Sequence, residues 1–414
     1  MWVMDLGAVT KLVSGEGWGL LQSLPPYDES ATLTLGEGLR AAGFDADLVA
    51  AALTQSRLRA RGHEKFGDFA DGMLFTADGL EQATRLEIAA RHAQRFRAAG
   101  IREVFDLGCG IGADAMAMAG LDLKVTAIEA DEVTATVAGV NLRHWPGASV
   151  FIGTAEGTQL PAGEGARHTA AWLDPARRTP GVTDARGRTR RVFNLDAISP
   201  TWATVQAIAR TLPATGAKLS PSFPHGAIPE DTEAQWTSLA GEVLECAIWW
   251  GPLVNRVGRS ALVIGANGRS WTVREADADV AGGAPSVASS MRQLGPWLYE
   301  PDRAVIRAGL TGALTSVVDG LELDSGVGYV TSARCVDVGY ARRFAVVESM
   351  PLNVKALRAW LRDRDVGRVT IKKRGVTLDA DELRRQLRLS GSVEMTLVLT
   401  RVRNHQVCLV VRAA

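Results

Sequence analysis

The chain has only four cysteines, and they stand far apart: Cys109, Cys246, Cys335 and Cys408. That scatter offers neither the paired spacing of a zinc site nor a disulfide framework. The six histidines, His63, His92, His144, His168, His225 and His405, also lack ligand spacing. They are assigned no catalytic role, and no metal is expected. No apolar run approaches the roughly 18 residues of a membrane span. The start, Met1-Trp2-Val3-Met4-Asp5, has no basic stretch ahead of an apolar core, so no membrane is expected and the protein reads as cytoplasmic. Net charge is absent as well, with 46 Lys+Arg against 46 Asp+Glu. What the chain does have is length: 414 residues, 46% of them hydrophobic, suffice for roughly two or three globular domains.

The zero net charge conceals an asymmetry. Residues 340–414 hold 16 Lys+Arg against 7 Asp+Glu, while residues 1–339 hold 30 against 39. A basic module joined to an acidic body points to nucleic acid, though an ordinary basic surface gives the same count.

The most informative stretch is Val104-Phe105-Asp106-Leu107-Gly108-Cys109-Gly110-Ile111-Gly112-Ala113-Asp114. It reads as a buried strand, a glycine turn and the start of a helix. Glu129 ends the next apolar run, Lys124 to Ile128, with Ala130 after it. Glycines let the backbone approach a nucleoside cofactor, and a following carboxylate accepts from ribose hydroxyls. The spacing is G-x-G-x-G rather than G-x-G-x-x-G, and Asp106 precedes it; both favour S-adenosylmethionine over NAD. Cys109 reads as a small residue in a tight turn. A third strand, Ser149 to Ile152, leads to Thr154-Ala155-Glu156, where Glu156 could meet the adenine amine. A fourth, Ala170 to Leu173, ends in Asp174-Pro175-Ala176-Arg177-Arg178.

This order of glycine loop, acid, acid and Asp-Pro resembles a class I S-adenosylmethionine-dependent methyltransferase over residues 101–263. The C-terminal part is similar to the small THUMP-like domain of uncharacterised bacterial methyltransferases. The residues that carry this are Tyr299-Glu300-Pro301-Asp302, Arg342-Arg343-Phe344, Pro351-Leu352-Asn353, Ile371-Lys372-Lys373-Arg374-Gly375 and the strands Met395 to Leu399 and Val407 to Val411. Lys65-Phe66-Gly67 and Leu80-Glu81-Gln82-Ala83-Thr84-Arg85 fit the same family. The resemblance implies an α+β module associated with RNA recognition.

Chemistry is expected at Asp174-Pro175. A carboxylate and a backbone carbonyl can each accept one hydrogen of an exocyclic amine and so aim its lone pair. The motif resembles the Asp/Asn-Pro-Pro-aromatic signature of amine-directed nucleic-acid methyltransferases. Here Ala176 replaces the second proline, and Arg177 stands where a ring would stack, a task a guanidinium plane can also perform. Arg177, Arg178, Arg186, Arg188, Arg190 and Arg191 then form a basic, glycine-containing stretch opposed only by Asp184. These arginines, with Lys372, Lys373 and Arg374, are the candidate contacts to RNA phosphates, and Lys218, at the end of the next strand, is a candidate for substrate or phosphate contact. A solvated charge run is the plain alternative.

The expected fold class is α/β, a Rossmann-like class I methyltransferase sheet between an N-terminal helical region and a C-terminal α+β THUMP-like domain. The regions are 1–98 helical, 99–268 cofactor-binding, 269–339 connecting and 340–414 THUMP-like. One helix is expected from Asp45 or Asp47 to Gly62, and another over Leu80 to Ala99 with Leu86, Ala90, Ala93 and Phe96 inward. Helices are also expected over Asn353 to Arg364 and Asp379 to Leu387. Glu242 to Trp250 and Ser260 to Ile264 suggest a closing antiparallel pair, and residues 265–290 a loose linker. The 11 tryptophans read as core. The functional expectation is an S-adenosylmethionine-dependent methyltransferase acting on a base nitrogen of rRNA or tRNA. A non-enzymatic RNA-binding protein on the same fold, or a small-molecule methyltransferase, stands as the alternative.

Overall fold

Local chemistry decides where the N-terminal helices start. Asp5, Ser14 and Asp45 each accept a hydrogen bond from the first turn of the helix that follows. The computed structural model describes residues 5–177, 195 and 198–414, without the side chains of Ala176 and Arg177. Helices α1 (Leu6–Val13), α2 (Gly15–Ser23), α3 (Thr32–Ala41) and α4 (Ala46–Phe66) come first. α4 does not stop at Gly62. A Cβ there would approach the Phe75 ring to 2.9 Å, so the glycine serves close packing rather than termination.

The helix expected over residues 80–99 is two helices, α5 (Ala77–Gln82) and α6 (Leu86–Ala98). Lys65 explains the break. Its Nζ donates to the carbonyls of Leu80, Glu81 and Ala83 at 2.8, 2.6 and 2.8 Å, taking acceptors that a continuing helix would use. α6 buries Ile88, Ala89, His92, Ala93 and Phe96; Leu86 and Ala90 are only partly buried.

The chain forms two units, Met1–Leu219 with Ile248–Asn255, and Ser220–Ala247 with Arg256–Ala414. In the first, β1 (Glu103–Leu107), α7 (Ala113–Ala119), β2 (Lys124–Glu129), α8 (Glu132–Leu142), β3 (Ala148–Ile152) and β4 (Thr169–Leu173) alternate as expected. A short pair, β5 (Ala176–Arg177) with β6 (Ile198–Ser199), precedes α9 (Trp202–Thr211) and β7 (Thr215–Leu219). The order β3-β2-β1-β4-β7 is parallel throughout. Leu107 lies in register with both Ile128 and Leu173, so β1, β2 and β4 end level. Ligands of open α/β sheets gather at such carboxyl ends. Below, Trp172 and Trp249 are buried and stack with centroids 5.3 Å apart. Gly216 makes room for them, because a Cβ would meet the two indoles at 2.8 and 2.6 Å.

The second unit holds β8 (Glu233–Leu239), most of β9 (Glu242–Trp249), β10 (Gly258–Ile264) and β11 (Ser270–Arg274). The expected β9–β10 antiparallel pair is not formed. β10 runs parallel to β8 on one side and antiparallel to β11 on the other. Residues 270–274, read as loose, are that second partner, and Trp271 packs where a Cβ on Gly339 would come within 2.1 Å.

Further along are β12 (Trp297–Pro301), α10 (Arg303–Arg307), α11 (Thr311–Val318), β13 (Gly320–Glu322), β14 (Val330–Ser332) and β15 (Ala341–Pro351). They are followed by α12 (Val354–Arg362), β16 (Val366–Lys373), α13 (Ala380–Leu387), β17 (Val393–Val402) and β18 (His405–Ala413). Their sheet has the order β13-β14-β12-β15-β18-β17-β16, with only β16 and β17 parallel. Residues 269–339 therefore do more than connect: they supply β12, β13 and β14 to the sheet that contains the basic module. Asn353 and Asp379 cap α12 and α13, which bury Leu357, Leu361, Leu383 and Leu387 against Val366, Leu397 and Val410.

Candidate cofactor and acceptor site

β1 ends in a turn that only glycine suits. Gly108 and Gly112 have φ of 90° and 85°, the left-handed region where a side chain is strained. The N–H groups of Gly108 and Cys109 donate to the Ile128 carbonyl at 2.8 and 3.0 Å, fastening the turn to β2. Glu129 sits beside it: its Oε2 accepts from Gly110 N at 2.9 Å and its Oε1 from Asp131 N at 2.9 Å. Each carboxylate oxygen has a second lone pair, so these bonds leave capacity for ribose hydroxyls. Ala130 and Glu156 are exposed near the strand ends, and Ala155 between them in sequence is buried. The Cys109 thiol is pushed well up, by burial first and then by the charges of Asp106 and Glu129, which suits a packing role.

Asp106 is 1% exposed, and its Oδ2 has no hydrogen-bond partner among the described residues. Burial pushes its carboxyl well above the usual range; Asp114, Asp174 and Glu129 add to the shift and Lys218 opposes it. A buried acceptor without a donor, under a glycine turn and beside Glu129, fits a ligand that brings a cationic amine and a ribose. S-adenosylmethionine brings both, with Asp106, Gly108, Gly110, Gly112 and Glu129 as its candidate holders.

Asp174 follows β4, next to that turn: a Cβ on Gly108 would lie 3.7 Å from the Asp174 carbonyl oxygen. The carboxylate is held by partners from distant parts of the chain. Lys218 Nζ, in β7, donates to Asp174 Oδ2 at 2.5 Å and to Thr84 Oγ1 at 2.8 Å. Thr84 Oγ1 donates to Asp114 Oδ2 at 2.7 Å, and His92 Nδ1 lies 2.8 Å from Asp114 Oδ1. A carboxylate only accepts, so the imidazole is the donor. Burial alone would raise the Asp114 carboxyl, but the His92 bond and charge, with Lys218 and Thr84, hold it below its usual value. Sequence reading missed Thr84, His92 and Asp114. Their positions 30 and 22 residues from Asp114 carry no local motif.

The candidate RNA contacts fare differently. Lys218 is engaged with Asp174 and Thr84, which brings it to the candidate acceptor carboxylate. Lys372 and Arg374 also turn inward: they donate to the two oxygens of Glu300 at 2.6 and 3.0 Å and lie over the rings of Phe344 and Tyr329. Three adjacent cations at a strand end cannot all be buried; the pairing of two of them with Glu300, 72 residues upstream of Lys372, was not visible in sequence. Lys373 is exposed, with its Nζ on the Leu378 carbonyl at 3.0 Å. Arg178, Arg186, Arg188, Arg190 and Arg191 lie outside the described residues, as does the Arg177 side chain. Among the described residues no cluster of His, Cys, Asp and Glu could hold a metal, and no helix is long and apolar enough to cross a membrane.

Residues 341–413 match the THUMP domain-like family, and residues 5–62 match a domain of unknown function, DUF8688. Two uncharacterized S-adenosylmethionine-dependent methyltransferases of Mycobacterium tuberculosis, from strains CDC 1551 and H37Rv, are each 29% identical over 353 residues. That span is 83% of this chain and 90% of theirs. A crystal structure from Porphyromonas gingivalis W83, whose methyltransferase assignment is itself provisional, superposes with a TM-score of 0.68 at 20% identity. It covers 94% of this chain and 100% of that one. In fold, the chain is similar to class I S-adenosylmethionine-dependent methyltransferases, and its C-terminal residues match the THUMP domain-like family.

Proposed function

We propose that the protein transfers a methyl group from S-adenosylmethionine to a base nitrogen of RNA, either rRNA or tRNA. The observation that carries this reading is Asp174 at the end of β4, with its backbone carbonyl beside the Gly108 turn and its carboxylate on Lys218. When bound, the cofactor supplies a methyl already activated by its sulfonium charge. The chain's own contribution is placement. Glu129 holds the ribose, Asp106 accepts from the amino group, and Asp174 with the Pro175 carbonyl accepts the two hydrogens of an exocyclic amine. The amine nitrogen is thereby aimed at the methyl, and positioning of this kind lowers the barrier without a chemical step by the protein. The THUMP-like domain and the arginine-rich stretch 177–191 support RNA as the acceptor, with Lys373 as a further phosphate contact. Lys372 and Arg374 are left out of this role because both serve Glu300.

Total RNA from a strain lacking the protein is the test substrate. The full chain with methyl-tritiated S-adenosylmethionine should label it, and digestion should return one labelled base. Asp174→Ala should lose turnover while binding S-adenosylmethionine as the parent does. An unlabelled RNA pool overturns the RNA reading, and full turnover in the variant overturns the role of Asp174.

A further inference from the structure

The N-terminal helical region reaches the proposed acceptor carboxylate through a continuous polar chain. Asp174 Oδ2 meets Lys218 Nζ at 2.5 Å, Lys218 meets Thr84 at 2.8 Å, Thr84 meets Asp114 at 2.7 Å, and Asp114 meets His92 at 2.8 Å. Thr84, Asp114 and His92 are buried, and Lys218 is largely so. Asp114 lies in the first turn of α7, directly after the glycine turn. Thr84 lies in the break between α5 and α6 that Lys65 holds open. The chain thus joins the glycine turn to the carboxylate proposed to hold the acceptor.

We infer that Thr84 and Lys218 are positioning residues for methyl transfer: they fix the orientation of Asp174 against a cofactor loop that Asp114 anchors from the other side. This inference rests on the placement of Asp174 in the proposed function. A charge-assisted hydrogen bond to an ammonium fixes a carboxylate only if the ammonium is itself fixed. A lysine stem is flexible, and Thr84 supplies the second anchor. Thr84 is also the one link that both donates and accepts, to Asp114 and from Lys218, and so holds the two halves together.

Thr84→Val keeps the volume and removes both bonds, and Thr84→Ser restores them. With tritiated S-adenosylmethionine and total RNA from a deletion strain, Thr84→Val should lower kcat by roughly ten- to a hundredfold, the scale of a small misplacement. KM for S-adenosylmethionine should be unchanged, and Thr84→Ser should return kcat to near the parent. A valine variant that stays folded and keeps its kcat overturns the inference, as does a serine variant that fails to recover. A second measurement needs no RNA. Sinefungin carries an amine where the transferred methyl stands, so a fixed Asp174 should favour it over S-adenosylhomocysteine. That preference should fall in Thr84→Val and return in Thr84→Ser. An equal or larger preference in the valine variant overturns the inference even if the parent labels no RNA. An RNA pool that stays unlabelled while the preference falls overturns only the RNA reading.

Discussion

At the scale of single residues, two carboxyl groups make testable claims. The Asp106 carboxyl is raised chiefly by burial. A group whose folded pKa lies above its unfolded value stabilises fully below the unfolded value and loses that contribution as pH rises through the folded one. Stability of the ligand-free protein should therefore decline with rising pH across this window, and Asp106→Asn should flatten the decline. A cationic cofactor favours the ionised form, so S-adenosylmethionine affinity should climb over the same window in the parent alone. Melting curves and calorimetry at a series of pH values check both. The second claim concerns Glu300, which is partly buried and shared by Lys372 and Arg374. Lys372→Ala leaves it with one cation and should destabilise by about 1–3 kcal/mol, read by chemical denaturation. The glycine turn and the acid beside it were legible in sequence because a strand, a glycine turn and an acid lie within one stretch. The partners of Asp174 and Lys372 were not, since each comes from a distant part of the chain and neither composition nor spacing marks the pairing.

At the scale of elements, glycine carries two opposite messages that sequence alone does not separate. Gly108 and Gly112 adopt backbone conformations closed to other residues, and their spacing gave them away. Gly62 and Gly216 have no such constraint; they are small because Phe75 and the Trp172–Trp249 stack occupy the space. Gly62 was consequently read as a helix end. Gly216→Ala should wedge the stacked indoles apart and cost about 1–3 kcal/mol by overpacking, a drop visible as a lower melting temperature. Helix periodicity likewise could not reveal the interruption at residues 83–85. Its cause is Lys65, whose ammonium takes three carbonyls from outside the segment. Strand positions were read well, but pairing was not, as β10 illustrates: nearness in sequence favoured β9, and the actual neighbours are β8 and β11.

At the scale of the whole molecule, family boundaries and structural boundaries part ways. The THUMP-like match begins at residue 341, yet β15 pairs with β12 from Trp297↔Ala345 to Pro301↔Ala341. A fragment of residues 341–414 would expose the bonding edge of β15 and should be poorly dispersed by NMR or aggregate. A fragment of residues 284–414, which keeps β12, β13 and β14, should fold measurably better. Cutting near Gly339 to remove the basic module would damage the same pairing, so RNA binding lost by such a truncation would not by itself implicate the basic surface.

The first unit is also discontinuous: it takes in Met1–Leu219 and then Ile248–Asn255. The returning segment brings Trp249, which stacks on Trp172, and Leu253, whose carbonyl accepts from Arg95 Nε at 2.7 Å. On the ribosome the cofactor-binding half must therefore wait. Its glycine turn, its acid and Asp174 have all been made by residue 174, but the indole that closes the layer beneath them emerges only some 75 residues later. Until then Trp172 keeps His92 and Phe96 as ring neighbours but lacks the indole that stacks on it, and the nascent chain leaves that apolar face uncovered.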